Sequence, residues 1–214
     1  MALRLRLDSN SMGVSKARFE AFSDGVFAIV ITLLVLELRV RPHLSGSDLH
    51  RELVQQVPRV GAYVLIFLSV GVFWVAHHLM VGSAACIDRV LLWVNLFFLM
   101  WVSLLPFAAG VLGGYPNSRE AVALYGLNMV LVEVFLIWIW SRITHHLLGD
   151  GIGRNFVRTG FRRIQSGLLL YGGGARSALF APTRVSLALF WLVPVSYVFL
   201  QAVSDGSSNA PHLK

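Results

Sequence analysis

The sequence is poor in charge, poor in cysteine and poorer in acid than in base. Only 14% of its 214 residues are Asp, Glu, Lys or Arg, against about a quarter in an ordinary soluble domain. That excludes a chain with a charged, solvated surface on every side. The single cysteine, Cys86, cannot close an intrachain disulfide, so the fold does not rest on one. Eleven acidic residues against 18 basic ones give a net charge of +7. No basic patch interleaved with aromatics accompanies that excess, which argues against RNA or DNA as the partner and for basic loops that anchor a membrane protein. No strand-length alternation is present, so a barrel is not expected. The first apolar run starts after residue 20, is followed by no small-residue cleavage site and is long enough to span, so it is not read as a signal peptide.

What the chain does have is apolar length. Hydrophobic residues make up 56% of it, mean hydropathy is +0.69, and runs of about twenty apolar residues recur, the length that crosses a bilayer as a helix. Irregular backbone cannot face lipid, which leaves helices as the spanning element. Six spans are expected: 19–40, 60–81, 90–112, 121–140, 164–182 and 185–203. Residues 41–57 read as a loop that runs into the start of a helix, 87–89 as a tight link, 113–118 ("GGYPNS") as a turn, and 142–163 as a long basic segment. Pro106 should kink the third span by removing a backbone donor. The fifth is the least regular, because Gly172, Gly173, Gly174 and Arg176 interrupt it. The organisation is a polar tail at 1–15, a six-helix membrane domain at 16–203 and a second tail at 204–214. Six spans put both ends on one side. With both ends cytoplasmic, the inner side carries 11 of the Lys and Arg residues and the outer side 7, the sense of the positive-inside rule.

The first span opens with charge. "RFEAFSDGVFAIVITLLVLEL" runs from Arg18 to Leu38. At about 100° per residue, Ile29, Leu33 and Leu36 lie within roughly 60° of one another, with Phe22 and Val40 on the same line. Thr32 sits about 60° off Ile29, while Asp24 and Ser23 point about 140° and 120° away. Read by angle alone, the stripe is a lipid contact and Ser23 and Asp24 are helix-capping groups. A charge at membrane depth is paired and turned inward, and Arg18 is the expected partner of Asp24. His77 and His78 point about 100° apart, so only one can join that cluster.

Other features carry less. His77 and His78 lack an i, i+4 companion, so no metal site is expected. His145 and His146 read as solvated groups near the inner interface. "GDGIG" at 149–153 follows no strand, and no second motif aspartate falls within a span, so neither phosphate binding nor proteolysis is expected. Glu133, near the middle of the fourth span, reads as a subunit-contact hydrogen bonder or a proton-sensitive group. Gly61, Gly71, Gly110 and Gly126 read as close-packing positions.

Three blocks carry a resemblance. Arg18, Phe22, Ser23 and Asp24 in the pattern R-x-x-x-F-S-D, then "FWVAHHLMV" (Phe73–Val81), then "NLFFLMWVSLLPF" (Asn95–Phe107) resemble, in order and spacing, the signature of the transmembrane protein 175 family of lysosomal potassium channels and prokaryotic relatives. The blocks cover residues 16–112; beyond 120 the likeness is one of hydropathy, and "YGGGAR" in the fifth span departs from it. The resemblance implies that first helices from symmetric subunits line a pore, without the "TVGYG" loop of ordinary potassium channels, which this chain indeed lacks. It implies a hydrophobic constriction at Ile29, Leu33 and Leu36, and a selectivity role for Thr32. It also implies a structural polar network of Arg18, Phe22, Ser23, Asp24, Trp74, His77 and Asn95, which selects His77 over His78. No second "FSD" repeat is present, so a homotetramer is implied rather than a dimer of doubled chains.

The expected protein is thus an all-α channel of the cell membrane, potassium-permeable and weakly selective over sodium. Its expected partners are itself, the lipid bilayer and monovalent cations, with no nucleic acid. No cofactor or catalytic group is expected, potassium being cargo. The competing class is a proton- or ion-coupled secondary transporter built on Asp24, His77 and Glu133. Such transporters show internal repeats and broken midplane helices, which the first four spans do not.

Overall fold

Ser15 starts the first helix: its Oγ accepts the amide of Arg18, meeting one of the backbone donors that a helix start leaves orphaned. The helix it opens, α1 (Lys16–Leu34), runs into a short 3-10 turn, Val35–Glu37. In this computed structural model residues 15–42 and 45–208 are described, with side chains to residue 197. Beyond α1 follow α2 (Gly46–Gln55), α3 (Val57–Gly82), α4 (Arg89–Ser103), α5 (Leu105–Gly114), α6 (Arg119–Arg142), α7 (Arg154–Phe180) and α8 (Thr183–Ser208). A π-helical turn, Ile143–Leu147, prolongs α6. The described residues form no named strand, only a one-residue bridge between Ala84 and Leu148. The expected tails lie outside the described residues, except that Ser15 caps α1 and 204–208 continue α8.

Each expected span coincides with a helix, but four of the resulting segments are long and apolar enough to cross a membrane: Lys16–Glu37, Val57–Gly82, Arg89–Gly114 and Arg119–Leu147. The described part of α8, Thr183–Tyr197, is apolar as well. The third span is two helices that meet at Leu104, with Pro106 in the first turn of α5, where its missing N–H costs nothing. The segment 41–57 is not a plain loop, since α2 forms there as a separate helix. Its Glu52 is held by Arg41, whose Nη2 lies 2.7 Å from Oε2.

The fifth span departs most from expectation. The basic segment expected to run through residue 163 is helical from Arg154 onward. Arginine is a good helix former, so charge there does not stop the helix; it only hides it from a hydropathy reading. The three glycines do not interrupt α7 either. Gly174 lies under the Phe190 ring of α8, and a Cβ on Gly126 of α6 would come within 2.7 Å of the Ala175 Cβ. Small residues let α6, α7 and α8 approach closely, which is how membrane helices gain packing energy.

The core is shared. α6 packs on α7 and α4, α3 on α5, α7 on α8, and α1 lies across α3, α4 and α5. Phe27, Leu34, Ile66, Leu91, Phe98 and Val102 fill the centre. At the foot of α1, Lys16 Nζ donates to the carbonyls of Gly82 (2.7 Å) and Ala84 (2.8 Å), at the C-terminal end of α3, where a helix favours a cation. The α3–α4 link is held from the far side as well. Ala85 N donates to Leu147 O at 2.8 Å, Gly149 N to Ser83 O at 3.0 Å, and Arg142 pairs with Asp88.

Asp88 also caps α4, accepting the Leu91 amide at 2.8 Å. Burial opposes its charge, but the Arg142 guanidinium and the Leu91 N–H outweigh it and hold the carboxyl below the ordinary carboxylate range. A depressed carboxylate contributes stability that is complete above its unfolded pKa and is lost as pH falls through its folded one. Asp88→Asn keeps the cap and removes the charge. It should lower stability at pH 7 by about 2 kcal/mol, and the gap from the unchanged protein should close as pH falls through the carboxylate range. Thermal unfolding across pH checks this; a pH-independent gap would remove the ion pair from the account.

Candidate functional site: the two faces of α1

α1 presents two faces with different tasks. Phe19, Ser23, Phe27, Val30 and Leu34 are buried, spaced by three and four residues. They lie on one side of the helix, centred about 120° round from Ile29. On the other side Phe22, Ile29, Leu33 and Leu36 are exposed, at 55%, 59%, 41% and 54%. Thr32 is exposed beside them, its Oγ1 donating to Ile29 O at 2.8 Å. The hydroxyl hydrogen is thereby spent on the helix itself, so the oxygen lone pairs face outward. The chain's own core therefore leaves the aliphatic stripe unused.

The buried face is fixed by polar bonds as well as packing. Ser23 Oγ donates to Phe19 O at 3.0 Å and accepts from Asn95 Nδ2 of α4 at 3.0 Å. Asn95 Oδ1 lies 2.8 Å from His77 Nε2 of α3. An amide oxygen only accepts, so Nε2 is the ring nitrogen that carries the proton. Three helices are thus tied by one chain of hydrogen bonds. Aromatic rings close round it: the Phe98 ring stacks on His77 at 5.4 Å between centroids, with Phe27 at 5.9 Å and Phe19 at 6.3 Å. Ser23, His77 and Asn95 are all buried, and an unmet polar group in that setting would be costly.

The rest of the expected cluster divides. Trp74 Nε1 donates to Asp24 Oδ1 at 2.8 Å, forming a second, more exposed tie between α1 and α3. His78 stacks on Trp74 at 5.7 Å and stays outside the buried chain. Arg18 does not pair with Asp24, and among the described residues no ion pair joins them. Six positions along a helix set the two about 120° apart. Arg18 falls on the line of Phe22 and Ile29, and both Arg18 and Phe22 are exposed rather than built into the network. Glu133 lies on α6 against Gly167 of α7 and makes no hydrogen bond with Asp24 or His77.

Two groups escape a reading of the sequence alone. The phenylalanines that sandwich His77 look like ordinary apolar residues; only the spacing of Phe19, Ser23 and Phe27 at i, i+4, i+8 hints that they share a face. Lys16 looks like one more inner-side charge, and nothing local marks it as a cap for α3.

Residues 18–106 match the family described as endosomal/lysosomal potassium channel TMEM175. A potassium channel of Streptomyces collinus is 35% identical over 190 residues, 86% of this chain and 92% of its own. One of Chryseobacterium is 31% identical over 186 residues, 85% of this chain and 94% of its own. Among solved structures, the crystal structure of a lysosomal potassium-selective channel TMEM175 homolog from Chamaesiphon minutus superposes with a TM-score of 0.77. It is 28% identical and covers 91% of this chain and 98% of that one. With its apolar helices and the polar ties that orient α1, this multi-pass membrane protein belongs to the TMEM175 family, alongside its prokaryotic members.

Proposed function

We propose that the chain is a potassium-permeable cation channel of the cell membrane, weakly selective for potassium over sodium. Four copies, each crossing six times with both termini cytoplasmic, surround a central pore lined by α1. The reading rests first on one observation: α1 buries Phe19, Ser23, Phe27, Val30 and Leu34 in its own subunit and leaves Ile29, Leu33 and Leu36 exposed on the opposite side. Contiguous apolar surface of that kind marks a contact or a pathway, and a symmetric ring of copies supplies both. Support comes also from the bacterial relatives, which bear the name potassium channel.

In this reading Ile29, Leu33 and Leu36 form hydrophobic rings that block ions by dewetting. The Ser23–Asn95–His77 chain and the Asp24–Trp74 bond set the rotation of α1, and so decide which residues reach the axis. Selectivity arises where a partly hydrated ion meets the outward lone pairs of Thr32, a weak discriminator beside a full carbonyl cage. Purified protein in a planar bilayer should give unitary potassium currents with smaller sodium currents. Thr32→Ala should lower the potassium-to-sodium permeability ratio about twofold, since a lost discrimination of a few tenths of a kcal/mol is of that size. Saturable flux without unitary steps would overturn the channel reading, and an unaltered reversal potential would remove Thr32 from the selectivity account.

A further inference from the structure

A cavity of about 370 Å³ lies among α3, α6, α7 and α8, and no residue of α1 lines it. Its walls are apolar, with Val72, Ala76, Leu136, Trp140, Ile164 and Leu170 among them. Its exposed rim includes Asn155, Phe156 and Thr159. Glu133 is set in this apolar wall. It is 4% exposed, and its Oε2 has no hydrogen-bond partner among the described residues. Gly167 gives it room, because a side chain there would collide with Oε1. The other charged residue of the lining, Arg163, is turned to the Tyr197 ring, 5.5 Å from its centroid, and makes no ion pair with Glu133. A chamber of this size, mostly apolar with a few convergent polar groups, has the make-up of a small-molecule site.

We propose that this cavity binds a lipophilic amine, whose apolar body fills the chamber and whose ammonium group meets the Glu133 carboxyl. The carboxyl needs a donor that none of the described residues supplies, and an unmet polar group at this depth is costly. Opposite charge in a low-dielectric wall is the partner that gains most there. A neutral hydroxyl meets the hydrogen-bond need but not the charge, and a plain hydrocarbon meets neither. The site lies apart from the stripe of α1, so binding can be read without reference to ion flow.

Aminoadamantane, adamantanol and decanoate serve as probes on the full-length protein in nanodiscs, followed by calorimetry and by tryptophan emission, which Trp140 in the wall reports. The amine should bind saturably, one per chain, at least about tenfold more tightly than the alcohol. Glu133→Gln should lose about tenfold for the amine and little for the alcohol. Thr159→Trp, at the exposed rim, should weaken both, and it carries the test if Glu133→Gln fails to assemble. Equal affinity for amine and alcohol, a preference for decanoate, amine binding untouched by Glu133→Gln, or full binding to Thr159→Trp would each overturn the assignment.

Discussion

Ile29→Asn should raise resting cation flux about tenfold or more. Ile29 is 59% exposed on the chain and contributes nothing to the core that holds α1, so the substitution leaves the packing of the helix intact. What changes is the surface offered to the proposed pore axis. A ring of branched aliphatic chains expels water below a threshold width, and an ion entering it would shed hydration with nothing in return. In the proposed tetramer, four amides restore donors and acceptors there and keep the ring wet. Removing about 1.4 kcal/mol from the barrier is already tenfold in rate. Flux into liposomes and open probability in bilayers give the measurement, with Leu33→Asn and Leu36→Asn beside it. If Ile29 is the narrowest ring its substitution has the largest effect of the three. Flux equal to that of the unchanged protein would dismiss Ile29 as the bottleneck.

Asn95→Leu should be the most destabilising single change in the buried polar chain, by about 2 kcal/mol. Asn95 is the central member, bonded to both His77 and Ser23. Its loss strands the His77 Nε2 proton and removes the donor to Ser23, in a layer sealed by Phe19, Phe27 and Phe98. Hydrogen bonds between membrane helices average well under 1 kcal/mol when measured singly, because partners are found in the unfolded state too. The larger figure follows from stranding the His77 proton in a sealed layer while Ser23 is left with its bond to Phe19 O alone. Ser23→Ala, which removes a terminal member, should cost less than half as much. The melting temperature of the assembled protein should fall by roughly 4–8 °C for Asn95→Leu, given the usual slope for a chain of this length. An unshifted melting curve would mean that packing alone holds the three helices together.

The stripe on α1 was legible because helical angle is a local property. Ile29, Leu33 and Leu36 share a side whatever surrounds them, and the same arithmetic sets Ser23 well away from them. It also contained the answer to the failed pairing: Arg18 and Asp24 lie about 120° apart on the same helix, so proximity in sequence misled where angle would not have. The choice of His77 over His78 was a different matter. Their positions show only that the two diverge, and the resemblance made the selection. The break at Leu104 was readable from Pro106 because a missing N–H acts at its own position. The extent of α7 was not. Arg154, Arg158, Arg162 and Arg163 look like loop residues when length is judged by hydropathy, yet helix formation depends on backbone and rotamer freedom, which arginine satisfies. The glycines at 172–174 were misread for a related reason. Alone they loosen a helix, but Gly174 lies under Phe190 and, together with Gly126 against Ala175, lets three helices close up.

By itself the sequence determined that this chain lives in a bilayer as helices, and that its first helix has an aliphatic side and a polar foot. Both follow from composition and from the helical repeat, which need no knowledge of neighbours. Only the tertiary structure decided which polar groups meet: Asn95 with Ser23, 72 positions away, Trp74 with Asp24, 50 positions away, and Glu133 with no partner among the described residues. A hydrogen bond forms within about 3 Å and within a narrow angle. Whether two helices bring their groups that close depends on their depth, rotation and separation, which are set by every contact in the bundle at once.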